Sequence, residues 1–179
     1  MRIIGVSGLP GSGKSLVSEV ATERGAIIVS MGDIIREEAK KRGESTKKTA
    51  KNLREEHGPY IVAELTIKKI KRIMDEGIDS HIIVEGIRSQ HEVDLFKENF
   101  DNFIIVSIFA NPQLRFERIK SRQREDDTTN YNVFAERDQN ELNFGIGNVI
   151  SLSDKTIINE SDIESCKKEI EIFLEECNI

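Results

Sequence analysis

The chain is poor in the features that mark several large classes of protein. It has two cysteines in 179 residues, Cys166 and Cys177. Both fall on one expected helix, eleven residues apart or about 16 Å along its axis, far beyond the span of a disulfide. Neither has a metal-ligating neighbour in the sequence, so both read as reduced core thiols. No window approaches the run of about 18 apolar residues that a membrane-spanning helix needs, and the first residues enter a strand without a basic, apolar and small-residue leader. A cytoplasmic protein with no membrane partner is expected. Lysine and arginine (26) are outnumbered by aspartate and glutamate (32), for a net charge of -6, and form no basic run interleaved with aromatics. Nucleic acid is therefore not an expected partner. The three histidines, His57, His81 and His91, stand isolated and read as structural. No Ser/His/Asp or Cys/His constellation points to a covalent nucleophile. Repeats, low-complexity tracts and linkers are missing too. With 37% hydrophobic residues, the length suits one good core and is short for two, so a single domain spanning 1–179 is expected, as a monomer or small homo-oligomer.

What the chain does have is Gly8-Leu9-Pro10-Gly11-Ser12-Gly13-Lys14-Ser15, a match to G-x-x-x-x-G-K-[ST] at every position. Glycines let backbone N–H groups curl around an anion, Lys14 supplies a mobile positive charge, and the Ser15 hydroxyl suits Mg2+. The context fits. Arg2 to Ser7 reads as a buried strand, and Leu16, Val17, Val20 and Ala21 follow at helical spacing, so the loop joins a strand to a helix N-terminus. Gly8, Gly11, Ser12, Gly13, Lys14, Ser15 and Leu16 are the expected nucleotide-binding residues.

Around this loop, short β-branched runs alternate with amphipathic helical patterns, which predicts an α/β protein with a parallel sheet covered by helices. Strands are expected near 2–7, 26–30, 81–85, 103–109 and 155–159. A wholly helical insertion occupies 31–80. Its last helix carries Ala63, Ile67, Ile70 and Met74 on one face, starting after Gly58-Pro59 and stopping at Gly77. The C-terminal segment places Ile163, Cys166, Ile170, Phe173, Leu174 and Cys177 on one face. The third strand delivers Glu85 to the same edge as the P-loop, where an acid can hold Mg2+ through water or polarise a nucleophile. After the fourth strand, Arg115, Arg118 and Arg122 lie on one helical stripe. Like charges so placed repel unless anions face them; nearby glutamates, Glu117, Glu125 and Glu136, are the alternative partners.

Ser30-Met31-Gly32-Asp33-Ile34-Ile35-Arg36 resembles the [ST]-x-G-D-x-x-R element of nucleoside monophosphate kinases. Glu85-Gly86-Ile87-Arg88 resembles their D-G-F-P-R element, with glutamate for aspartate and one residue fewer before the arginine. Arg118 and Arg122, then Arg124-Glu125-Asp126-Asp127 and Arg137, are similar to their arginine lid. Asp154 to Ser161 looks like their last strand and adenine-side loop, as it does in dephospho-coenzyme A kinases. A GTPase base motif would need a lysine that Asn159-Glu160-Ser161-Asp162 lacks. Arg54 and Phe144-Gly145-Ile146-Gly147 are familiar from archaeal adenylate-kinase-related P-loop kinases, the group the chain resembles most.

That resemblance implies a three-layer α/β/α fold with a five-stranded parallel sheet in the order 2-3-1-4-5, residues 31–80 as the acceptor-binding insertion and 115–137 as a lid. It implies ATP and Mg2+ as cofactors and γ-phosphoryl transfer to a nucleotide acceptor. An AMP-like monophosphate is favoured, and the ribose hydroxyl of dephospho-coenzyme A is the alternative. Ser30, Gly32, Asp33, Arg36, Arg54, Gly86, Arg88 and Arg137 would bind the acceptor. Lys14, Arg88, Arg118, Arg122 and Arg124 would be catalytic, with Asp33 a base for a hydroxyl acceptor. Arg118 and Asn159 would adjoin the donor nucleotide, and Ser15 and Glu85 the metal. The reading of another class is an adenylate-kinase-like ATPase of ribosome or ribonucleoprotein assembly, in which Glu85 drives hydrolysis.

Overall fold

Strand formation follows the β-branched runs, and strand polarity follows from the helices that separate them. The computed structural model describes residues 1–122 and 127–179. In chain order it has β1 (Ile3–Ser7), α1 (Ser15–Glu23), β2 (Ile27–Ser30), α2 (Met31–Arg42), α3 (Thr46–His57), α4 (Ile61–Asp75), β3 (Ile82–Glu85), α5 (Gln90–Asn99) and β4 (Phe103–Phe109). There follow α6 (Pro112–Arg122), α7 (Tyr131–Phe144), α8 (Ile146–Ser151), β5 (Lys155–Ile158) and α9 (Ile163–Glu176). The five strands are parallel in the order β2-β3-β1-β4-β5, as expected.

Both faces of the sheet are covered, so the strands are apolar throughout and alternate residues feed two cores. Ile3, Ile82, Val84, Phe103 and Ile105 pack with α2 to α5 on one side. Ile4, Val6, Ile83, Val106, Ile108 and Ile157 pack with α1 and α9 on the other. Both cysteines belong to this second core, buried and unbridged, and burial raises their thiol pKa values. Phe116, Ile119 and Phe134 form a small separate cluster between α6 and α7.

Two expected core positions are solvent-facing. Met74 is 39% exposed and Ile163 59%. Each lies within two residues of a helix end, where the chain leaves the sheet surface and the helical repeat no longer predicts burial. Among the described residues no helix is long and apolar enough to cross a membrane.

Register sets the functional edge. Glu85 pairs with Val6 on one side and Ser30 on the other, so the carboxyl ends of β1, β2 and β3 arrive together. Open parallel sheets bind ligands at this edge. Serine caps fix what leaves it. Ser30 caps α2 through Asp33 N, and Ser89 opens α5 with a capping box in which Glu92 returns a bond to Ser89 N.

Candidate functional site

The P-loop is held in shape by backbone conformations open mainly to glycine. Gly8, Gly11 and Gly13 all have positive φ, at 147°, 81° and 97°. There is also no room for a Cβ: at Gly11 it would lie 2.7 Å from the Arg115 carbonyl oxygen, and at Gly13 it would strike the Asn159 amide. The loop closes on itself through Ser12 N to Leu9 O (3.1 Å) and feeds α1 through Leu16 N to Gly13 O (3.0 Å). Ser15, the first residue of α1, is exposed.

Lys14 Nζ donates to Gly8 O (2.7 Å) and Leu9 O (3.2 Å), occupying the loop's own carbonyls. Burial lowers its pKa from 10.5 to about 8; of the charges that oppose this, Glu141 acts most strongly, ahead of Glu85. An anion brought against this buried lysine would favour its charged form.

A cavity of about 190 Å³ lies over the loop, lined by Gly8, Lys14, Arg88, Arg122, Arg137 and Glu141 among others. A second, about 250 Å³, shares Lys14, Arg88 and Arg122 and reaches Ser15, Ser30, Gly32 and Glu85. Thus the P-loop, the ends of β2 and β3, and helices α6 and α7 converge on one basic basin. Glu85 accepts a hydrogen bond from Ser18 on the second turn of α1. Ser15 and Glu85 form an all-oxygen pair on one cavity wall, which fits a small hard cation that keeps waters and phosphate oxygens as its remaining ligands. No group of three or more His, Cys, Asp or Glu among the described residues would hold a metal unaided.

Arg88 is anchored from behind. Its backbone N–H and that of Ser89 donate to Glu92 Oε2 (2.7 and 3.1 Å), and burial raises the pKa of this glutamate. The Arg88 side chain reaches forward, donating from Nη1 to Glu141 Oε1 at 3.2 Å. Gly86, at φ 97°, brings the chain within 3.2 Å of Met31 as judged from a Cβ placed there. Arg54 lies behind, in a small recess lined by Met31, Gly32, Val62, Gly86 and Arg88. Its Nη1 donates to Ala50 O (3.0 Å), its guanidinium sits 5.4 Å from the Phe144 ring centroid, and desolvation, followed by the Arg88 charge, lowers its pKa.

Asp33 and Arg36 stand apart from this convergence. They pair with each other on α2, both more than half exposed, and neither is among the described residues lining the two cavities. Ser30 acts as the N-cap of α2, its side chain accepting from Asp33 N.

The arginine stripe divides into three roles, because the protein supplies carboxylates to Arg115 and Arg122 and a neutral amide to Arg118. Arg115 is 1% exposed and donates to Ala110 O, Pro10 O and Asp138, a partner the sequence did not suggest. Arg122 pairs with Asp127. Arg118 donates to Asn159 Oδ1 (3.3 Å), and Asn159 Nδ2 donates to Ser12 O (2.8 Å), so α6 is tied through the buried Asn159 to the P-loop. Arg124 and the adjoining Glu125 and Asp126 lie outside the described residues. The buried atoms Ser12 Oγ, Arg54 Nε, Ser107 Oγ and Arg118 Nη1 have no hydrogen-bond partner among the described residues.

Ser18, Glu92, Asp138 and Glu141, which hold or line the site, escaped sequence reasoning. Ser18 left no signal beyond its helical offset from Ser15. Asp138 and Glu141 sit at i+1 and i+4 from Arg137, and the latter spacing puts Glu141 on the face that Arg137 shares.

Comparison with known proteins identifies relatives of the chain and structures that share its fold. Residues 7–134 match the family described as AAA domain. A UPF0200 protein of Methanothermobacter thermautotrophicus is 47% identical over 97% of this chain and 90% of its own length. Among solved structures, a gluconokinase from Sinorhizobium meliloti superposes with a TM-score of 0.65 at 13% identity, covering 98% of this chain and 93% of that one. A shikimate kinase from Bacteroides thetaiotaomicron superposes at 0.61 with 12% identity, covering 99% of both chains. At such identities these two structures establish the P-loop kinase fold alone.

Proposed function

Since the chain belongs to the UPF0200 family and has a P-loop kinase fold, we propose that it is an ATP- and Mg2+-dependent phosphotransferase acting on a small nucleotide-type acceptor. The observation that carries this is the convergence of Lys14, Arg88, Arg122 and Arg137 on one cavity over the P-loop. Four cations from four segments, facing a loop of backbone donors, suit a phosphoryl group in flight better than a bound nucleotide alone.

In this reading Gly8 to Ser15 cradles the β and γ phosphates. Lys14 leaves its carbonyl partners and takes up the β–γ oxygens. Ser15 and Glu85 would hold Mg2+, which would supply positive charge against that of the phosphates. Arg88, backed by Glu92, orients the acceptor at the transfer point, and Arg54 and Gly86 shape the recess behind it. Arg118, Arg122 and Arg137, on the lid-like pair α6 and α7, close over the donor and exclude water. Positioning and charge then carry an in-line transfer, with no covalent intermediate on the protein. Expected acceptors are a nucleoside monophosphate such as AMP, or a nucleotide bearing a free ribose hydroxyl such as dephospho-coenzyme A.

A coupled ADP-release assay tests this across AMP, CMP, UMP, GMP, dTMP and dephospho-coenzyme A. Stimulation by one of them, lost in Arg88→Ala, is the expected result. Hydrolysis that ignores every acceptor but requires Glu85 would instead identify an ATPase.

A further inference from the structure

The cavity built for phosphate contains an acid. Among the described residues lining the space over the P-loop, Glu141 is the only carboxylate, set among Lys14, Arg88, Arg122 and Arg137. Its side chain is 17% exposed, and Oε1 accepts from Arg88 Nη1. Its second oxygen has no hydrogen-bond partner among the described residues. Glu141 also acts on Lys14 more strongly than Glu85 does, although Glu85 terminates the strand beside the loop. Its placement is fixed from both ends. Arg88 is held by Glu92, and the C-terminal end of α7 packs closely on the chain after Arg88, since a Cβ at Gly145 would lie 3.6 Å from Ser89 Cβ.

A carboxylate here weakens the cavity's hold on any anion, so a site meant only to grip phosphates is better without it. An ionised phosphate oxygen needs no base and is repelled by Glu141 at the transfer point. A neutral hydroxyl gains from the same group, because its proton must leave as it attacks. Resting on the phosphotransferase reading above, we infer that Glu141 selects a hydroxyl as the reacting group and is the base that receives its proton, the role the sequence pattern gave to Asp33. The hydroxyl oxygen bonds to the γ-phosphorus as the bond from that phosphorus to the bridging oxygen breaks. ADP departs with that electron pair, the hydroxyl proton passes to the free oxygen of Glu141, and from there to solvent after product leaves. Arg88 holds the other oxygen and keeps the base aimed.

The test has two arms. The first measures ADP release by wild type, Glu141→Gln and Glu141→Asp with hydroxyl probes (dephospho-coenzyme A, gluconate, shikimate) and phosphate probes (AMP, CMP, UMP). A hydroxyl probe should be the better acceptor, its kcat falling about 100-fold or more in the glutamine variant and recovering in part in the aspartate variant. Faster turnover of a monophosphate by wild type overturns the inference while leaving the phosphotransferase reading intact. If no probe is turned over, the phosphotransferase reading has failed and the inference falls with it; the second arm tests separately whether Glu141 repels an acceptor phosphate. It titrates AMP calorimetrically into protein whose P-loop is saturated with MgADP. Glu141→Gln should bind AMP about tenfold more tightly than wild type, because the repulsive element is gone. A misfolded variant binds more weakly, so tightening cannot come from damage; equal or weaker binding overturns the inference.

Discussion

Lys14 carries the residue-scale consequences. In the unliganded protein its pKa of about 8 is set chiefly by burial. A bound triphosphate brings opposite charge and raises it again. Nucleotide binding above about pH 8 must therefore take up a proton, and affinity should fall as pH rises from 8 towards 10. Calorimetry of ADP binding at pH 8.5 in buffers of different ionisation enthalpy reads this uptake directly; binding without proton uptake would contradict the assigned state of Lys14. The unliganded fold shows the opposite trend. The unfolded chain holds this proton to about 10.5 while the folded one releases it near 8, so this residue's contribution to stability rises with pH across that window. Gly13 gives a second prediction at this scale. Gly13→Ala places a methyl group against the Asn159 amide at φ 97°, so ADP binding should be lost while far-ultraviolet circular dichroism stays native. The P-loop residues were legible because their spacing is local and their chemistry is specific. Glu141 was not, because its partner Arg88 is 53 residues away, and no local pattern reports which cavity a helical glutamate lines.

At the scale of elements, the two ties between α6 and the P-loop decide how the lid-like pair communicates with the nucleotide. One is Arg115, bonded to Pro10 O and Asp138 and set 5.1 Å from the Phe134 ring centroid. The other runs from Arg118 through Asn159 to Ser12. Removing Asp138 leaves the guanidinium of Arg115 buried without its counter-charge. Asp138→Ala should thus destabilise the protein by about 3 kcal/mol or more, measured by urea denaturation. Asn159→Ala breaks the other tie and leaves Arg118 Nη2 and Ser12 O without that partner. It should cost about 2 kcal/mol of stability and raise the KM for ATP several-fold as the loop loses its brace; an unchanged KM would deny Asn159 that role. Strand existence was readable because the alternation of β-branched runs with helical patterns is a property of neighbouring residues, whereas strand order was legible only through the resemblance to nucleoside monophosphate kinases. Met74 and Ile163 misled because periodicity continues on paper past the point where a helix leaves the sheet. The arginine stripe was visible as a stripe, but its partition among Asp138, Asp127 and Asn159 depends on chain folding that brings α7 and the end of β5 against α6.

On the scale of the whole molecule, two sheet-spanning cores and a third small cluster divide the labour. The cores fix the carboxyl edge on which Glu85, Ser30 and the P-loop meet. Phe116, Ile119 and Phe134 form a buried cluster that joins α6 to α7, with the Tyr131 ring against both phenylalanines. We expect hydrogen exchange in α7 to slow when MgADP is bound, with little change in β1, β3 and β4. The most direct test of the central claim is whether an acceptor accelerates ADP release from MgATP beyond the rate without acceptor. The phosphotransferase account predicts acceleration by at least one nucleotide acceptor, abolished by Arg88→Ala. A rate identical with and without every acceptor, and indifferent to that substitution, would contradict it.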